Sequence, residues 1–267
     1  MIHLEALVLV AALAGAWLAA WWASGADETI QPARVARLPL PRAQAAAFFG
    51  GLLALTAALN GPLHDLAERS LVSAHMIQHL LLVLVVAPCL LAGALPVLLD
   101  RVLAFRGVRA VVAVATRPLA ALGLYAAVLI VWHLPGPYAI MTRSDLWHVV
   151  AHGSLVAVAV LAWWPVLSPS RRLPALPYGA RILYLFAFGM PMTVVAAMIT
   201  GAEVVLYPTA SPTPIEDQRL AGVLMWVPAG LVPLIAFTIV FFRWCAAERE
   251  EDLEYTSKAH SSQPTAS

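Results

Sequence analysis

The sequence predicts an all-α protein, a polytopic transmembrane bundle of seven helices. Three observations predict it. Of the 267 residues, 61% are hydrophobic and only 12% are charged, with a mean hydropathy of +0.82. A soluble domain carries about twice that charged fraction. Seven apolar runs come close to or exceed the ~20 residues a helix needs to cross a bilayer. Arg and Lys also concentrate in alternate loops, as positive charge does around membrane spans.

The runs cover residues 4–23, 43–61, 72–98, 118–134, 145–167, 178–206 and 219–244. The first ends in Ala23-Ser24-Gly25-Ala26, which looks like a signal-peptide cleavage site. No Lys or Arg precedes it, however, and its apolar stretch is long for a signal peptide, so it is read as a span. The third and sixth runs are long and the fourth is short, which predicts tilts or kinks. Pro88, Pro96, Pro191, Pro228 and Pro233 lie inside spans, each removing a backbone donor. Residues 99–116 are apolar but broken by Asp100, Arg101, Arg106 and Arg109, and read as an interfacial helix or loop. Residues 1–246 form the membrane domain, and the polar stretch 247–267 reads as a disordered tail. Cys89 and Cys245 have no metal or disulfide spacing and read as packing residues.

Thirteen of the sixteen basic residues fall on one side of this arrangement, at Arg34, Arg37, Arg42, Arg101, Arg106, Arg109, Arg117, Arg171, Arg172, Arg181, Arg243, Arg249 and Lys258. Arg69, Arg143 and Arg219 fall on the other. The expected orientation has the N-terminus outside and the C-terminus cytoplasmic. The partner implied by composition is the lipid bilayer. A net charge of +1 without a basic cluster gives no footprint for nucleic acid.

The chemistry collects in the outer half of that bundle. His75 and His79 open the third span four residues apart, so a helix places them on one face. His148 and His152 repeat the spacing at the start of the fifth, and His133 closes the fourth. Imidazoles inside a membrane are costly unless something uses them, and two pairs at matched depth are the pattern of a metal site. Met76 is a possible additional ligand, because thioether with imidazole suits Cu(I), whereas imidazole alone suits Cu(II), zinc and iron. His64, Glu203 and Asp217 are possible further participants; a carboxylate at Glu203 or Asp217 would orient a ligating histidine by hydrogen bonding. Asp217 also reads as an N-cap for its own helix. His3, His64 and His260 read singly as interface or hydrogen-bonding residues. Trp163, Trp164 and Tyr184 read as belt or packing residues.

Several motifs occur in order: Ser73-Ala74-His75-Met76-Ile77-Gln78-His79, Trp132-His133-Leu134-Pro135 with Tyr138, Leu146-Trp147-His148 with His152, Trp163-Trp164-Pro165, and Asp217-Gln218-Arg219-Leu220-Ala221-Gly222 with Met225-Trp226-Val227-Pro228. In these the chain resembles the seven-span CtaG family of cytochrome c oxidase assembly factors, associated with caa-type oxidases. Glu203 departs from that pattern. The resemblance implies a protein of the bacterial plasma (inner) membrane that helps mature the oxidase. It further implies copper handling for oxidase subunit one as partner, and no enzymatic activity.

Read from the residues, the leading function is a membrane metallochaperone, with copper as the metal and zinc or haem as alternatives. A membrane haem protein is the second reading, since histidines from facing helices hold haem axially. It is weakened because two histidines on one helix turn cannot take opposite faces of one iron. A metal transporter is the third, weakened by the scarcity of polar residues in the inner halves of the spans. Neither histidine pair has the intervening glutamate of a zinc hydrolase.

Overall fold

The computed structural model describes residues 4–24, 42–69 and 71–261, and all regular structure among them is helical. The cleavage-like residues Gly25-Ala26, together with His3, Arg34 and Arg37, lie outside the described residues. The helices are α1 (Leu4–Ser24), α2 (Arg42–Leu59), α3 (Pro62–Arg69) and α4 (Val72–Leu81), the last running through a π-helical turn (Leu82–Val86) into α5 (Ala87–Gly93). There follow α6 (Pro96–Val102), α7 (Arg106–Ala115), α8 (Pro118–His133), α9 (Pro135–Met141), α10 (Asp145–Leu167), α11 (Tyr178–Phe188), α12 (Met190–Gly201) and α13 (Pro214–Ser261).

Six helical stretches are long and apolar enough to cross a membrane: Ala6–Ala23, Arg42–Ala67, Val72–Gly93, Asp145–Leu167, Tyr178–Gly201 and Pro214–Tyr255. The expected fourth span is α8, which has only 16 residues. It reaches spanning length only together with α7, from which it is bent by 78°, so the count is six, or seven with that pair as one span. The bend falls at Arg117-Pro118, where proline holds the preceding residue out of the helical region. None of the side chains of α7 is buried.

The main core is enclosed by the α4–α5 helix, α8, α10, α11, α12 and α13, and includes Met76, Val83, Leu129, Leu155, Ala159, Phe188 and Met225. A second cluster ties α1 to α2, where buried Trp17 stacks on Phe48 and donates its indole N–H to the Gly93 carbonyl at 2.9 Å. Gly222 lets α13 approach α12: a Cβ there would lie 2.8 Å from the backbone nitrogen of Thr200 and 3.0 Å from the Ala196 carbonyl oxygen. Small residues at such crossings are how membrane helices gain close contact.

The π-turn has a chemical cause. Ala87 N–H bonds the Leu82 carbonyl, five residues back. The next bond in that register would need an N–H from residue 88, which is proline. The Val83 carbonyl is thereby released, and Trp163 of α10 donates its indole N–H to it at 2.9 Å. Trp163 is therefore a buried hydrogen-bonding residue of the core. Tyr184 similarly donates to the Ala162 carbonyl at 2.7 Å.

One expectation is corrected at the C-terminus. The stretch read as a disordered tail continues α13 as helix through Ser261. Its Ala, Glu, Arg and Leu are good helix formers, and extension of an existing helix escapes the cost of nucleation. Trp244 donates to Glu248, one turn on, at 2.8 Å.

Candidate metal centre

The histidines converge because of how three helices begin and end. α4 starts at Val72, and the residue at its capping position, Leu71, has no side chain to take the first amides. Asp217 of α13 takes them instead. Its carboxylate accepts from the Val72 N–H at 2.8 Å, the Ser73 N–H at 3.3 Å and the Ser73 hydroxyl at 2.5 Å. A carboxylate there satisfies orphaned amides and complements the positive end of the helix. The first turn of α4 is thus held against the start of α13, and His75 and His79 follow within two turns. α8 ends at His133 because Leu134 precedes Pro135 and adopts an extended conformation. The carbonyl left over at that end, on His133, accepts the Tyr207 hydroxyl at 2.6 Å. α10 begins at Asp145, so His148 and His152 occupy its first two turns.

His75 sits at the centre. Its ring centroid is 4.4 Å from that of His79, 5.6 Å from His148 and 5.4 Å from His152. His79 lies 5.0 Å from both His133 and His152, and His148 and His152 stack at 4.4 Å. One ligand nitrogen from each of His75, His148 and His152 lies within 4.8 Å of the other two. His75, His79, His133 and His152 are buried, whereas His148 is half-buried.

The hydrogen bonds select which nitrogens are available. His152 Nδ1 lies 3.1 Å from the His148 carbonyl, which can only accept, so Nδ1 carries the proton and Nε2 presents a lone pair. The Nε2 atoms of His75, His79 and His152 are buried without a hydrogen-bond partner. Each such orphan costs about 1–3 kcal/mol. A cation bound by the neighbouring imidazoles would offset such costs. An imidazole set of this kind suits Cu(II), zinc or iron.

A family model described as Cytochrome c oxidase caa3 assembly factor (Caa3_CtaG) matches residues 15–247. The chain belongs to that family. Comparison with curated proteins and with solved structures returns no significant match.

In this oxidase assembly factor, the five predicted histidines are all neighbours, but they are not equivalent. His133 has both ring nitrogens engaged, Nδ1 at 2.7 Å from the Leu129 carbonyl and Nε2 at 3.1 Å from His79 Nδ1. Both its ring nitrogens therefore face protein partners. His64 lies beside it, with its ring 6.0 Å from that of His148, and its Nδ1 is 3.0 Å from the Gln78 amide. Met76 is fully buried among the apolar core residues. Asp217 caps α4, neither its own helix nor a histidine, because it faces the bare N-terminus of α4 across the bundle. Glu203 is exposed in the loop after α12.

Gln78 and two tyrosines belong to the assembly factor's centre although the histidine spacing does not point to them. Gln78 also donates to the Ala58 carbonyl at 2.7 Å and so ties α4 to α2 and His64. A buried amide one turn after His75 is the signal that marks it. Tyr138 lies 5.3 Å from the His75 ring and 4.3 Å from Tyr207. Burial pushes both phenols above their ordinary range, and Tyr138 is raised further by Tyr207 and Asp217, so both remain protonated.

Proposed function

We propose that this assembly factor receives copper at the histidine cluster and passes it to the oxidase, with subunit one as recipient, at the extracytoplasmic face of the bacterial plasma membrane. The observation that carries the reading is the group of His75, His148 and His152, with ligand nitrogens within 4.8 Å of one another. The Nε2 atoms of His75, His79 and His152, buried without a protein partner, support it, because a metal ion is one partner that would satisfy them. Among first-row divalent ions competing for imidazole, copper binds most tightly, above nickel and zinc. Arg and Lys concentrate at the other end of the bundle, which favours an outward-facing cluster. Half-buried His148 is the ring of the cluster nearest the surface, which suits exchange.

The packing weighs against haem. A porphyrin between His75 and His152 would have to replace the rings of His79, His148 and Tyr138, all within 5.6 Å of His75. A conducting path for metal is disfavoured by the apolar core beyond His79, at Leu82, Val83, Val86, Leu155 and Ala159. Cells carrying His75→Ala/His152→Ala test the proposal. They are expected to assemble oxidase that contains haem but has lost most of the copper of subunit one, measured on the purified oxidase. Full copper occupancy in that oxidase would refute it.

A further inference from the structure

We propose that His133 is a positioning residue that fixes the tautomer of His79, making His79 Nε2 a further imidazole donor at the edge of the His75, His148 and His152 group. The ligand role rests on the metal reading above; the tautomer does not. The Leu129 carbonyl can only accept a hydrogen bond. His133 Nδ1 is 2.7 Å from it and must therefore donate. A neutral imidazole has one N–H, so His133 Nε2 is left as an acceptor. That atom lies 3.1 Å from His79 Nδ1, which must in turn carry its own proton. His79 Nε2 is then a bare lone pair, and it is buried with no hydrogen-bond partner.

The His133 ring has little freedom to do anything else. It sits in the last turn of α8, and its carbonyl is clamped by Tyr207 at 2.6 Å. The extended Leu134-Pro135 step follows directly. His152 uses the same device in shorter form, with the His148 carbonyl one turn back as acceptor. For His79 the acceptor comes from another helix, a carbonyl of α8 relayed through an imidazole. Ligating histidines commonly place a carboxylate on the far nitrogen. A neutral imidazole in that place orients the ring without adding negative charge, which leaves the ion's charge less compensated and the metal easier to release.

The test uses full-length protein labelled with ¹⁵N-histidine in detergent, stripped of metal, and titrated with copper afterwards. In the wild type, His79 is expected to show a protonated Nδ1 and an unprotonated Nε2 by ¹⁵N chemical shift. His133→Leu removes the acceptor, so His79 should move its proton to Nε2 in part or whole. Copper affinity should then fall about 10–100-fold, the usual cost of losing such a support. His133→Gln, whose amide oxygen can stand where Nε2 stands, should keep the wild-type tautomer and recover most of the affinity. X-ray absorption on the copper-loaded protein should count one imidazole more in the wild type than in His133→Leu. A wild-type His79 protonated on Nε2 would overturn the proposal, as would undiminished copper affinity in His133→Leu. Wild-type protein that binds no copper would defeat the ligand role and the metal reading together, and the tautomer measurement would still decide whether His133 positions His79.

Discussion

Asp217 shows how much a single side chain organises here. It accepts three hydrogen bonds from the first turn of α4, from a position 145 residues away along the chain. Asp217→Ala is expected to lower stability by about 1–2 kcal/mol, read as a lower thermal midpoint in detergent. Asp217→Asn keeps acceptor capacity and should lie between the two. Metal affinity should fall in step, since His75 lies in the turn that the carboxylate holds. That Asp217 would matter was legible in the sequence; what it touches was not, because a cap supplied by another helix has no local spacing. His133 teaches the same lesson. Its depth beside the two pairs identified it as a neighbour, but only the Leu129 carbonyl and His79 contacts separate a support from a ligand. Met76 lies one position from His75 and so faces away, into the apolar core.

At the scale of the element, the helix from Val72 to Gly93 carries the site at one end and a π-turn in its middle. The proline that causes the turn was visible in the sequence, and so was the prospect of a kink. The remedy was not visible, since nothing local pairs Trp163 with a carbonyl 80 residues earlier. Trp163→Phe keeps the bulk and removes the donor, leaving the Val83 carbonyl orphaned. A loss of about 1–2 kcal/mol is expected in reversible unfolding, with metal binding largely retained because the histidines lie above the turn. If the phenylalanine variant were as stable as the wild type, the indole bond would have no structural weight. Helix α8 gives the contrary case. An apolar run of about 17 residues reads as a crossing, yet the helix stops at 16, and proline at each end sets that length.

For the whole molecule, the length of the apolar runs accounts for the six stretches long enough to cross a membrane. Their meeting places depended on contacts that periodicity does not encode, such as Gly222 against Thr200 and Trp17 against Gly93. The result is an oxidase assembly factor with polar chemistry gathered at one end and an apolar core beneath it. The C-terminal extension of α13 to Ser261 carries charged side chains away from that site, at the far end of the last span.

The central claim is that the cluster binds metal. The measurement that tests it most directly is the metal content, by mass spectrometry with an absorption spectrum, of detergent-purified wild type and the His75→Ala/His79→Ala variant after equilibration with copper across pH. The account predicts about one copper per wild-type chain at neutral pH and loss of it in the variant. No Soret absorption is expected. Because only neutral imidazole ligates, occupancy should fall at acid pH. Equal copper in both proteins, or none in the wild type at neutral pH, would contradict the account.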